Sequence, residues 1–196
     1  MNTRASCLIL SVSSLLSWSA SNGQQQANTF DLAATMSGAQ EVTPPDAPTT
    51  PSPGVTTQAS GQVTVKVAQD LSSFTFTLTV NNGTGVTQAH LHCARPGENG
   101  PVIVTLAPTS AGQDVNGMLA QGTKTNTDIE TGATACEQLI GRPVRNIASL
   151  TAAAFEGLIY ANVHTVANPA GEIRGQLVPS SGDESTPPTP PPSSRH

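Results

Sequence analysis

The sequence predicts an all-β protein, an antiparallel β-sandwich or barrel that carries one short helix. Three observations lead there. Several segments alternate apolar and polar residues with a period of two, which turns one face of each toward a core. Turn residues separate these segments at short intervals, with Gly at 17 positions and Pro at 16, as a fold of many short strands requires. One stretch only, 149–157, has the alanine-rich composition that favours a helix.

The elements follow in order. Residues 30–38 alternate and read as an edge strand, and a Pro/Thr loop over 44–53 follows, ended by Gly54. Residues 61–67 alternate strictly, with Val63, Val65 and Val67 on one face. Residues 74–80 repeat the pattern with Phe74, Phe76, Leu78 and Val80. Asp70-Leu71-Ser72-Ser73 turns the chain between them, so the pair forms a hairpin with one apolar face and one threonine-rich face. Asn81-Asn82-Gly83-Thr84 contains the Asn-Gly signal and predicts a second turn. Asn82 also heads an N-glycosylation sequon, used where the source is a eukaryote. Residues 88–93 form the next strand, joined through a Gly-Pro turn to 102–106. The stretch 107–132 is polar and weakly patterned and reads as loop with short strands, Val115, Met118 and Leu119 among their residues. The helix over 149–157 takes Ser149 or Thr151 as its cap and ends at Gly157. Two more strands, 158–165 and 173–177, are linked by Asn168-Pro169-Ala170-Gly171.

This pattern occupies residues 28–179, the size of one domain. The ends read differently. Residues 1–23 have an early Arg4, an apolar run too short and too serine-rich to span a bilayer, and then small residues, which is the pattern of a secretory signal. Residues 180–196 are rich in Pro, Ser and Thr and have too little apolar surface to offset ordering entropy, so they read as a disordered tail. No second run is long enough for a membrane span. The net charge of −5 with only 8 Lys and Arg builds no basic stripe, which excludes nucleic acid as a partner. With Cys7 in the leader, Cys93 and Cys136 remain. An even pair in a secreted domain points to a disulfide, worth roughly 3–4 kcal/mol on the chain-entropy model. Ligation of a metal by Cys93 beside His92 is the alternative, but in a strand Cys93 points away from His90 and His92.

The chain has 4 histidines, and three lie in the strands. His90 and His92 alternate onto one face of their strand, as do Tyr160, Asn162 and His164 on theirs. If those faces converge, three imidazoles meet. Imidazole suits copper and zinc, and a His-x-His pair with a third histidine from another strand supplies a three-nitrogen set. The other reading is a hydrogen-bonded polar cluster with Tyr160, Asn162, Glu172 and Arg174 that ties strands together. Glu172 and Arg174 share a strand face. They read either as a carboxylate–guanidinium pair orienting His164 or an incoming anion, or as an ion pair of small value. The chain has no Gly-x-Ser-x-Gly elbow, no His-Glu-x-x-His helix and no phosphate-cradling glycine loop.

Three ordered segments carry a family resemblance. His90-Leu91-His92-Cys93 with Glu98-Asn99-Gly100-Pro101-Val102 resembles the first signature of the CHRD (chordin-type) domain. Residues 158–165 with 168–177 resemble the second, and Met36-Ser37-Gly38-Ala39-Gln40-Glu41-Val42-Thr43-Pro44-Pro45 resembles the opening. The resemblance covers about 30–177. It implies an extracellular β-rich module and no common catalytic activity. The expected function is therefore a secreted, non-enzymatic binding or interaction module, whose partner is an extracellular protein or a small ligand. The competing expectation is a mononuclear copper or zinc protein on the three histidines, with redox activity as the chemistry copper would add.

Overall fold

The computed structural model describes residues 30–42, 54–130 and 133–180. The expected leader, the Pro/Thr loop and, apart from Ser180, the expected tail lie outside the described residues.

The described chain runs β1 (Phe30–Ser37), β2 (Ser60–Val67), β3 (Ser73–Cys93), β4 (Val102–Ala107), β5 (Gln113–Thr125), α1 (Ala133–Ile140), α2 (Ile147–Phe155), β6 (Ile159–Thr165), β7 (Ile173–Gln176) and β8 (Val178–Pro179). All strand pairings are antiparallel. The order β2-β1-β7-β6-β3 closes on itself because β3 also pairs β2. The all-β expectation therefore holds, with a closed ring of strands at its centre. β4 and β5 pair the other edge of β3, and β8 adds to β1.

The period-two segments account for the core. Val63, Val65 and Val67 of β2 are fully buried and oppose Leu78, Phe76 and Phe74 of β3. Leu32, Ala34 and Met36 of β1 join them, and Leu91, Ala161, Val163 and Ile173 extend the same cluster. The intervening Thr64, Lys66, Thr75 and Thr77 are exposed. At about 25 cal/mol per Å² of apolar area, each buried Val, Leu or Phe side chain contributes roughly 1.5–3 kcal/mol.

Three strand readings need correction. β1 is not an edge, because β2 lies on one side of it and β7 and β8 on the other. No turn forms at 81–84. Instead β3 runs unbroken for 21 residues. Asn82 and Gly85 do take the left-handed backbone, at φ 53° and 63°, but the ladder to β5 slips register at both places rather than reversing. The Asn-Gly signal therefore serves bulges, which bend a strand without ending it. This bend moves β3 from β2 and β5 to β6 and β4. In the polar middle, one strand of 13 residues, β5, replaces the short strands expected there.

The described residues hold two α-helices rather than one, α1 being additional to the expected helix. Its Cys136 bonds Cys93 at the end of β3, with a Cα separation of 5.8 Å, so the disulfide staples this helix to the barrel. In α2 the cap is Asn146, ahead of both residues expected. Its side chain accepts from Ser149 N–H, and the Ser149 hydroxyl accepts in return from Asn146 N–H. This reciprocal box starts the helix two residues early. Gly157, at φ 70°, ends it as expected. Asn82, the head of the sequon, is exposed, and its side-chain amide donates to Gln58 O at 3.3 Å.

Candidate metal centre

β6 is buried along its whole length. Ile159, Ala161 and Val163 face the apolar core, while Tyr160, Asn162 and His164 form a second, polar face that is also buried. The ladder sets its neighbours. On β3, His92 lies opposite Tyr160 and His90 opposite Asn162; on β7, Arg174 lies opposite Asn162. Directly opposed residues share a face, so the alternation legible in the sequence brings all these side chains together. The donor nitrogens of His90, His92 and His164 lie within 4.8 Å of one another.

Two loops fix the rings. His92 Nδ1 lies 2.9 Å from Gly100 O in the β3–β4 connection. His164 Nδ1 lies 3.0 Å from Pro169 O in the β6–β7 turn. A carbonyl only accepts, so each Nδ1 carries the proton and each Nε2 keeps its lone pair. His90 Nδ1 then donates to His164 Nε2 at 3.1 Å. His92 Nε2 is buried and has no hydrogen-bond partner among the described residues. Gly100 must be glycine here, since a Cβ would stand 1.8 Å from Cys93 O.

The electrostatics keep the rings neutral. Burial lowers the His92 pKa to about 3, with smaller contributions in the same direction from His90, His164 and Arg174. Burial likewise takes His164 to about 4, and lowers His90 against the pull of Glu130. Neutral imidazole is the form that ligates a metal.

Tyr160 stacks on His92 with ring centroids 4.8 Å apart and planes 8° apart. The Arg174 guanidinium covers its other face at 3.5 Å. Burial raises the Tyr160 pKa, and its hydroxyl accepts from Gly100 N–H at 3.3 Å. Arg174 is 2% exposed. It donates to Glu98 O, to Asn99 Oδ1 and to Arg95 O, and so pins the loop that ends in Gly100.

Among the described residues no ion pair joins Glu172 to Arg174, so neither the orienting pair nor the simple ion pair is present there. Glu172 precedes β7 and turns into the β6–β7 connection, where its Oε2 accepts from Thr165 Oγ1 and Asn168 Nδ2. Burial pushes its carboxyl up, but bonds from Thr57, Asn168 and Thr165 outweigh that and hold it below the usual range. It shapes the turn that presents Pro169 O rather than touching His164. The carboxylate that does enter the polar face is Glu41, which the sequence reading did not single out. Its Oε1 accepts from Asn162 Nδ2 at 2.7 Å. Burial raises its pKa to about 7, against the opposing influence of Arg174.

The strands and loops that build this face are the segments in which the sequence resembled a family. The sequence profile of the CHRD domain matches residues 32–177. The chain belongs to the CHRD domain family. No curated protein and no solved structure matches it. The match runs from Leu32 within β1 to just past the end of β7 and takes in both α-helices and every residue named on the polar face.

Proposed function

We propose that this CHRD domain is an extracellular binding module whose ligand site is a mononuclear centre for copper or zinc, held by His90, His92 and His164. One observation carries the reading: three neutral imidazoles from two strands converge, and one of their lone pairs, on His92 Nε2, is buried without a partner. In a tetrahedral zinc site with bonds of 2.0–2.1 Å, ligand nitrogens stand about 3.3 Å apart. The separation of His90 Nδ1 from His164 Nε2, 3.1 Å, is already near that value; ligation moves the proton of His90 Nδ1 to its Nε2, and the His92 ligand atom lies within 4.8 Å of both. The carbonyls of Gly100 and Pro169 supply the outer support that orients ligating histidines. Extracellular placement is supported by the family and by the disulfide, which belongs to oxidising compartments. No helix among the described residues is long and apolar enough to cross a membrane.

The direct His90–His164 hydrogen bond favours a second reading, a purely structural polar cluster in a module that binds an extracellular protein or small ligand elsewhere. Metal analysis separates the two. The mature protein, purified without an affinity tag and with His196 removed, is expected to retain one equivalent of Cu²⁺ or Zn²⁺ per chain after dialysis, and His164→Ala is expected to lose it while remaining folded. A wild-type domain with no measurable affinity for either ion, and a His164→Ala variant altered only in stability, would establish the structural cluster.

A further inference from the structure

Two acceptor atoms on the polar face are buried with no donor among the described residues, His92 Nε2 and Asn162 Oδ1. The first suits a metal. The second belongs to an amide whose other end is already committed, because Asn162 Nδ2 donates to Glu41 Oε1. Glu41 is 2% exposed and is backed by Gly171. A Cβ on Gly171 would stand 2.7 Å from each carboxylate oxygen and 2.5 Å from Asn162 Nδ2. Ionised Glu41 only accepts, so in that state the Asn162 NH₂ is the end that faces it. The carbonyl end is turned away from Glu41, on the face that Asn162 shares with His90 across the ladder and with His164 two residues on.

A buried carbonyl without a donor calls for one, while a buried imidazole lone pair calls for an electrophile. A hydrated metal ion supplies both, since water polarised by the ion is a strong donor. Three imidazoles also leave a tetrahedral ion one position short, which is the coordination of open rather than closed sites. We propose that the ion held by the three histidines keeps its fourth position for an exchangeable water, that Asn162 Oδ1 accepts this water's hydrogen bond, and that Glu41 is the positioning residue that fixes the amide. This assignment rests on the three histidines holding one ion. The ligand class it selects is water or a single small anion that displaces it.

The mature chain loaded with one equivalent of Cu²⁺ provides the test. Solvent-proton relaxation reports a water on the ion, and azide, the probe anion, replaces that water and adds a charge-transfer band. Wild type is expected to show both signals, with azide abolishing the relaxation enhancement. At full copper loading, Asn162→Leu is expected to bind azide about tenfold more tightly, because the water loses a hydrogen bond that a copper-polarised donor makes worth about 1.4 kcal/mol. Glu41→Gln, which disturbs packing less, is expected to shift azide affinity in the same direction by a smaller factor. Stoichiometric copper with neither relaxation enhancement nor azide response would overturn the open position and leave the three-histidine centre standing. Unchanged azide affinity in both variants would overturn the roles of Asn162 and Glu41. A wild-type chain that binds no copper would overturn the centre itself.

Discussion

Arg174→Lys keeps a positive charge at a buried position and removes the planar fork. Arg174 makes three hydrogen bonds to the 95–99 loop, at 2.7, 3.3 and 3.1 Å. No ion pair involving it occurs among the described residues, so these loop acceptors provide most of its polar contacts. An ammonium reaches one of them from the same stem. Two lost bonds to a charged donor amount to about 3–6 kcal/mol, and water entering at the exposed loop residues offsets part of that. The expected net loss is about 2–4 kcal/mol, or roughly 5–15 °C in Tm for a domain of this size. Urea unfolding is the assay, with the midpoint lowered and the slope unchanged. Because the same loop ends at Gly100, whose carbonyl orients His92, affinity for Cu²⁺ or Zn²⁺ should also fall about 10–100-fold. A stability change below about 0.5 kcal/mol, the usual range for a surface substitution, would show that the loop is held without the guanidinium.

Gly171→Ala forces a Cβ against Glu41 and Asn162 at a φ of 148°, and an expected loss of about 2–4 kcal/mol should appear in the same denaturation assay; wild-type stability would mean the turn relaxes freely. In metal-free protein, the three histidines have lower pKa values folded than unfolded, so the unfolded chain takes up protons first. Stability should then fall as pH drops below 6.5 and go on falling toward the folded values of about 4 and 3. Glu41 acts oppositely between 4.5 and about 7, where the fold retains its proton and the unfolded chain has lost it, but it is one group against three; urea midpoints that stay flat from pH 6.5 to 4.5 would contradict this balance. Replacing Cys93 and Cys136 with alanine should lower stability by roughly 3–4 kcal/mol through the 43-residue separation they close, read as a fall in Tm that dithiothreitol reproduces in the wild type and leaves unchanged in the variant.

The polar face was legible in sequence to the extent that it depends on alternation. A period of two places His90 with His92, and Tyr160 with Asn162 and His164, before any pairing is known. What local pattern does not encode is the partner across the sheet. Glu41 meets Asn162 over 121 residues of chain, and no spacing rule links them. The misread turn at Asn82 has a different cause. A left-handed residue reverses a two-residue hairpin loop and also makes a bulge, and only the neighbouring strands decide which. α1 went unseen because its anchor is a disulfide rather than a wide apolar stripe. Counting in twos puts Glu172 on the face of Arg174, but that count holds only within a strand, and Glu172 stands just outside β7.

The closure of the barrel has a consequence for how the chain folds. β1, the first described strand, is completed by β7 and by β8, the last one, with Leu32 opposite Pro179 and Ser180 N–H donating to Asp31 O at 2.9 Å. Contacts separated by nearly the whole domain are slow to form, because the closure entropy of the intervening loop must be met first. During synthesis the ring stays open until residue 180 has left the ribosome, so β1 and β2 wait as an unclosed hairpin with one edge bare. The edge of β1 that β7 and β8 cover in the finished fold is therefore the last part of the ring to find its partner.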